Sequence, residues 1–274
     1  MSTRPGSVSR LSTNVVLLIG ALLTSLPFFW MIFSSLKPRS ESVAYPPSLL
    51  PKNPTLEFFG QLFTQLDFGV YLLNTLIVVA IGFVGMLFMA MAGYAFAKFR
   101  FKGRGVMFLT VLATMMIPAQ VTMIPTYLIL NSVGLTNTLL GIALPTLVSA
   151  FSIFLFRQFM TTIPDEVLEA ARIDGAGEVR IFVSIVLPVS KPILAVQTVL
   201  TFIAGWNSFL WPLVIANDQS KYTLSVGLAL LNQQVSTNPS LQMAGAALMV
   251  VPILLVFIIF QRHIVQGFTL SGLK

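Results

Sequence analysis

The chain has no cysteine, a single histidine, and charge on only 9% of its 274 residues. Without cysteine there is no disulfide, no thiolate nucleophile and no sulfur-ligated metal. The lone His263 stands beside Arg262, which suits a solvated interfacial group and argues against a metal or catalytic role. There is no Gly-Lys dipeptide, so the chain carries no G-x-x-x-x-G-K-[ST] loop and does not itself cradle a nucleotide in that way.

What is present is apolar. Hydrophobic residues make up 56% of the chain, with 23 Phe, and mean hydropathy is +0.89, a composition that belongs to integral membrane proteins. A helix needs about 20 apolar residues to cross a hydrocarbon core of about 30 Å. Six runs free of Asp, Glu, Lys, Arg and His reach or approach that length: roughly 15–36, 69–97, 105–130, 138–156, 192–216 and 241–261. The short alternating segments of a membrane barrel are not seen, and helices alone satisfy their backbone in lipid segment by segment. The expected fold is therefore all-α: one polytopic transmembrane domain, 1–274, with six helices.

Basic residues give the orientation, because Lys and Arg are retained in cytoplasmic segments near helix ends. With the amino terminus inside, Arg4, Arg10, Lys98, Arg100, Lys102, Arg104, Arg157, Arg172, Arg180, Lys191, Arg262 and Lys274 are cytoplasmic, against Lys37, Arg39, Lys52 and Lys221 outside. Twelve against four places both termini in the cytoplasm and accounts for the net charge of +7 without nucleic acid. The first span reads as retained rather than as a cleaved signal, since bulky "PFFWMIF" stands where small residues should precede cleavage.

Between spans the chain is sparse. Five prolines from Pro38 to Pro54 suggest a stiff, extended outside crossing. Leu56, Phe59, Phe63 and Leu66 then recur at helical spacing with Leu62 beside them, with a start near Pro54, as in a short surface or bundle-packed helix. Pro118 and Pro125 lie seven apart on one face of the third span and are expected to bend it. Trp206 and Trp211 suit an interfacial aromatic belt, or, with Asn207, a sugar-facing aromatic and its hydrogen-bonding neighbour.

The charges concentrate in one place. Five of the nine acids fall between Asp165 and Glu178, in the cytoplasmic loop 157–191 between the fourth and fifth spans. Pro164 suits a first helical turn, and Asp165, Glu166 and Glu169 complement the positive helix end. Gly175 stops the helix, and a second short helix runs from about Gly177 to Val186, stopping before Pro188. Ala170 and Ala171 keep the first helix narrow enough to enter a groove, where Val167, Leu168 and Ile173 would give apolar contact and the acids and Arg172 orientation. A loop folded back on its own bundle, with solvated charges, is the alternative.

Glu169-Ala170-Ala171, three residues, Gly175, nine residues, then Ile185, one residue and Leu187-Pro188 reproduce the EAA-x3-G-x9-I-x-LP signature. The chain thereby resembles permease subunits of binding-protein-dependent ATP-binding cassette importers. "SSLKP", "AYPPSLLP", "IPTYLIL", "FRQFMTTIPDEVLEAARIDGAGE", "IVLPVSKPILA" and "WNSFLWPL" extend the resemblance to the carbohydrate-uptake branch, specifically the smaller permease of maltose-type pairs. The resemblance implies a type I importer permease fold in a bacterial or archaeal cytoplasmic (inner) membrane. It also implies a second homologous permease subunit, two cytoplasmic ATPase subunits holding ATP and Mg, and an external solute-binding protein. It makes Asp165, Glu166, Val167, Leu168, Glu169, Ala170, Ala171, Arg172, Asp174, Gly175, Ile185, Leu187 and Pro188 the ATPase-coupling element, and leaves this chain neither an enzyme nor a holder of cofactor or metal. The carboxyl-terminal tail is expected to touch the ATPases.

A sugar needs hydrogen-bond partners and no counter-ion, so uncharged polar residues at depth are the pathway candidates: Asn74, Gln120, Thr122, Ser149, Ser152, Gln197 and Asn207, with Trp206. Each could equally join helices. An ion-coupled secondary carrier would show intramembrane ionisable residues or an inverted repeat, and neither is found in the sequence. A non-transporting scaffold that recruits a signalling partner is the third reading. Amino-acid, peptide, phosphate or glycerol-phosphate solutes remain open within the importer class.

Overall fold

The computed structural model describes the backbone of residues 7–234 and 238–271, and the side chains of 13–231 and 238–262. Arg4, Lys274 and the side chains of Arg10 and His263 lie outside these, as do the tail side chains expected to touch the ATPases. In chain order the main helices are α1 (Ser7–Ser35), α2 (Glu57–Gln65), α3 (Phe68–Lys98), α4 (Arg104–Thr114), α5 (Ala119–Ser132), α6 (Leu139–Ala143), α7 (Ala150–Met160), α8 (Asp165–Ile173), α9 (Glu178–Ile181), α10 (Lys191–Trp206), α11 (Leu210–Ile215), α12 (Leu224–Gln234) and α13 (Pro239–Ser271). No strand occurs among the described residues.

Four stretches are long and apolar enough to cross a membrane unbroken: Thr13–Ser35, Phe68–Lys98, Lys191–Ile215 and Pro239–Arg262. Two more qualify only as bent pairs, α4 with α5 at 100° and Leu139–Thr146 with α7 at 43°. The third apolar run is thus broken, not merely bent as the sequence suggests. Pro118 does not sit within a helix; it caps α5 with extended backbone (φ −59°, ψ 135°). A residue preceding proline is driven out of the α region, and the helix ends before it. Pro125 remains inside α5. The fourth run bends between Thr146 and Ala150, just after the tighter turn Leu144–Thr146 that holds Pro145, and each half is capped: the Thr138 hydroxyl accepts the Gly141 N–H at 3.0 Å and the Ser149 hydroxyl that of Ser152 at 3.3 Å.

The chain divides into two compact units, Met1–Asp67 with Leu228–Val250, and Phe68–Gly227 with Val251–Lys274. In the first, the proline-rich stretch after α1 folds back instead of running extended. The Glu41 carboxylate accepts the Lys52 N–H at 2.8 Å and the Ser48 hydroxyl at 3.1 Å, and the Lys52 bond is the chief reason its carboxyl is held below the usual range. Lys37 is buried, with its ammonium 4.8 Å from the Trp30 ring centroid and donating to the Ser48 carbonyl. Helix α2 buries Phe58 and Leu62, while Leu56 and Phe63 are exposed and Phe59 and Leu66 half-buried. The buried face is therefore rotated toward Leu62, which stands beside the stripe read from the sequence; the helix begins at Glu57, later than Pro54, and the Thr55 hydroxyl accepts the Glu57 N–H at 3.1 Å.

In the second unit α3 is the axis, packed against α7 and α10. Close approach is possible because small residues face the neighbours. A Cβ on Gly93 would lie 2.4 Å from that of Phe156, and one on Gly85 2.5 Å from the Leu147 carbonyl oxygen. Around the lower contacts lies a core of Tyr94, Phe96, Phe156, Met160, Ile163, Leu168, Ile181 and Val186. The core thus includes residues of the charged loop as well as of the spans.

Candidate functional site

The charged loop is built as a helix, a glycine corner and a second helical stretch. Its first helix, α8, starts after Pro164, which is extended at the N-cap, and carries Asp165 and Glu166 in its first turn. At the other end Gly175 has φ +79° with open space around it, so glycine is needed for its backbone and not for room. The Ala176 N–H bonds the Ala171 carbonyl and the Gly175 N–H the Arg172 carbonyl, both at 3.0 Å. These are the paired bonds of a Schellman stop.

Two ion pairs fix the loop. Lys98, at the end of α3 and almost fully buried, reaches Asp165 at 2.6 Å and also donates to the Ile163 carbonyl. The hydrogen bond from Lys98, then its charge, holds the Asp165 carboxyl below its usual range. Across the glycine corner Arg172 bonds Glu178 at 2.7 Å, an interaction that lowers the Glu178 carboxyl and raises the Arg172 guanidinium. The Tyr94 hydroxyl of α3 reaches the same Glu178 at 3.4 Å. Lys98 was visible in the sequence only as a span-end cation; nothing in its spacing announced Asp165 as its partner.

The coupling residues divide by face. Leu168 is 1% exposed and packs into the chain's own core, so it anchors the helix and is not the docking contact that the sequence suggests. Ile185 and Leu187 are half-buried against the same core. Glu166, Val167, Glu169, Ala170, Arg172, Asp174 and Pro188 are exposed, Ala171 half-buried, and Ile173 is 86% exposed. The second helical stretch does not stop before Pro188. It widens into a π turn, Phe182–Val186, and Leu187–Val189 follows at once. The wider turn accommodates a residue that cannot donate, so the helix passes through the proline.

The pathway candidates separate. Asn74 is 5% exposed and donates to the Ser220 and Tyr222 carbonyls at 2.8 and 2.9 Å, a staple between α3 and the segment before α12. Trp206 is 2% exposed and stacks on Phe202 at 5.1 Å, packed inside the unit and not facing outward as a belt aromatic would. Asn207 is exposed at the end of α10. Gln197 is fully buried with both amide atoms unpartnered. Ser149 and Ser152 line a cavity of about 250 Å³ bordered by α3 and α10, together with Thr146 and Thr201. Gln120 and Thr122 line a second cavity of about 370 Å³, which also takes in Thr126, Thr146, Ser208 and Trp211. Sequence reasoning missed Thr126, Thr146 and Ser208, and offered Trp211 both to the membrane interface and as a sugar-facing aromatic. Among the described residues no group of three or more His, Asp or Glu could hold a metal ion.

Helices without strands among the described residues, four to six apolar spans and a charged loop tied to them by the Lys98–Asp165 pair define a class: a multi-pass membrane protein. The comparisons make the class specific. The family described as "Binding-protein-dependent transport system inner membrane component" matches residues 89–270. The chain is similar to the arabinooligosaccharides transport system permease protein AraQ of Halalkalibacterium halodurans, 36% identical over 93% of this chain and 92% of that one. It is also similar to the sn-glycerol-3-phosphate transport system permease protein UgpE of Brucella abortus, 34% identical over 95% and 96%. Among solved structures it resembles a chain of a bacterial ABC transporter involved in the import of the acidic polysaccharide alginate, with a TM-score of 0.82 and 25% identity over 95% of this chain and 99% of that one. The chain belongs to this family of inner-membrane components and is a permease subunit of a binding-protein-dependent importer.

Proposed function

We propose that the chain is one half of the pore of an ATP-driven sugar importer, crossing the membrane six times with both termini in the cytoplasm. A second, homologous permease completes the pore, an external binding protein delivers the solute, and two cytoplasmic ATPase subunits hold ATP and Mg and supply the energy. The observation that carries this reading is the build of α8. Its inner face is locked to the bundle by Leu168 and the Lys98–Asp165 pair, while Val167, Glu169, Ala170 and Ile173 are exposed. Force applied to that outer face moves the bundle as a rigid body, which is what alternating access demands. Asp165, Glu166, Val167, Glu169, Ala170, Ala171, Arg172, Asp174 and Gly175 are the coupling surface and its frame; Leu168, Ile185, Leu187 and Pro188 join it to the spans.

The sugar assignment rests on similarity to the arabinooligosaccharide permease. Glycerol phosphate is the second reading, favoured by the glycerol-phosphate permease relatives. Purifying the complex with its own subunits and measuring which solutes stimulate ATP hydrolysis separates them: oligosaccharides stimulate under the first reading, sn-glycerol 3-phosphate under the second. Gly175→Val tests the joint itself. At φ +79° a β-branched residue costs at least about 1–2 kcal/mol, and we expect ATP hydrolysis to lose its link to uptake or the complex to fail to assemble. Normal transport by that variant would count against the coupling role.

A further inference from the structure

Trp211 of α11 is only half-exposed, and it lines the cavity of about 370 Å³. Its indole N–H is already engaged with the Gly141 carbonyl at 3.2 Å, so the ring is fixed in orientation and has only its π surface left to offer. Gln120, Thr126 and Ser208 line the same space, and their side-chain polar groups make no hydrogen bond among the described residues. Thr122 and Thr146 donate to the Ala119 and Ala143 carbonyls at 3.0 and 2.7 Å and retain acceptor lone pairs. The lining therefore offers one free amide, two free hydroxyls and two further acceptors around one aromatic surface. None of the residues lining this cavity is ionisable.

Those properties select a ligand. Free donors and acceptors of mixed sign suit hydroxyl groups, which both give and take hydrogen bonds. A fixed indole suits a ring with an apolar C–H face. An anion would enter this lining with no counter-charge from it, at a large desolvation cost. The volume is at the small end of ligand sites, about 300–1,000 Å³, which fits a short saccharide or a few rings of a longer one. We infer that this cavity is a contact site for an uncharged saccharide, and that Gln120, Thr126, Ser208 and Trp211 give this subunit a direct part in choosing the solute. The inference rests on the reading of the chain as a sugar-importer permease, and it takes that reading further by naming the solute's charge and the residues that meet it.

The test uses the complete complex with its binding protein in proteoliposomes, with radiolabelled arabinotriose as probe and sn-glycerol 3-phosphate as competitor. Trp211→Leu, and Gln120→Ala combined with Ser208→Ala, are expected to lower the kcat/KM of uptake about five- to tenfold, the loss of one or two hydrogen bonds or an aromatic contact. Binding-protein-stimulated ATP hydrolysis and the amount of assembled complex should stay at the wild-type level, a split that a merely structural role would not give. Trp211→Phe keeps an aromatic surface while losing the bond to Gly141, and should retain uptake within about twofold. Excess glycerol phosphate should not compete. Wild-type rates in both the Trp211→Leu and the double variant would overturn the assignment, as would a loss in Trp211→Phe equal to that in Trp211→Leu, or effective competition by glycerol phosphate. If the wild-type complex takes up no saccharide at all, the sugar reading fails and the cavity assignment falls with it; if the wild type transports and the variants match it, only the cavity assignment falls.

Discussion

At the scale of single residues, neighbours in one helix have opposite duties. Leu168 is 1% exposed and Val167 45% exposed, though they are adjacent and chemically alike. Leu168→Ala leaves a void in the core and should destabilise the loop by about 2–5 kcal/mol, read as faster hydrogen exchange in α8 of the purified complex. Val167→Ala should leave exchange unchanged and instead weaken the affinity of the ATPase subunits in a titration. If both variants behave alike, the division of faces is wrong. Gln197 poses a different question, since an amide with 0% exposure and no partner forfeits about 1–3 kcal/mol. Gln197→Leu, similar in volume, should therefore raise the melting temperature of the detergent-solubilised complex. A concurrent fall in transport would indicate that the amide finds its partner in another conformation of the cycle.

At the scale of elements, the loop is held by charge as well as by packing. Asp165 and Glu178 have carboxyls lowered from ordinary values of 3.8 and 4.5, chiefly by hydrogen bonds from Lys98 and Arg172. A lowered carboxyl contributes stability that is fully present above its ordinary pKa and is lost as pH falls through the lower folded value. The loop should accordingly be insensitive to pH from about 8 to about 5 and loosen below about 4, measurable with a fluorescent label at Ser184→Cys; both pairs are exposed on the acid side, so the effect should shrink in high salt. Lys98→Met should abolish the Asp165 share of that acid transition. How much of this was legible beforehand follows from the physics of each signal. The glycine corner and the acidic first turn of α8 were readable because local backbone chemistry determines them: Gly175 adopts φ +79° and the Schellman bonds follow. The π turn before Pro188, the break at Pro118 and the rotated face of α2 were not, because each depends on what lies across the packing interface and not on the periodicity of its own segment. The Lys98–Asp165 pair spans 67 positions, a separation over which one sequence carries no pairing information. The same limit hid the cavity, whose walls come from α5, the Leu144–Thr146 turn and the α10–α11 junction.

At the scale of the whole molecule the open matter is how the chain is threaded through the bilayer. Four spans pass by length and composition and two more only as bent pairs, so a count of apolar helices alone allows four, five or six crossings. The basic residues argue against an odd count. Six crossings, or four with both bent pairs returning to the side they entered from, divide Lys and Arg twelve inside to four outside; a single re-entrant pair reverses every later segment and puts Arg157, Arg172, Arg180 and Lys191 outside, against the retention of basic residues in the cytoplasm. The lack of cysteine makes the natural chain its own background for a direct measurement. Single substitutions at exposed positions, Asn53→Cys, Glu166→Cys and Asp218→Cys, can be treated in intact cells with a membrane-impermeant maleimide. Asn53→Cys and Asp218→Cys should label from outside, and Glu166→Cys only after the membrane is opened. Labelling of Glu166→Cys in intact cells would remove the cytoplasmic contact on which the coupling role depends, whereas protection of Asp218→Cys would reduce the crossings after α3 and require one of the bent pairs to return to the side it entered from.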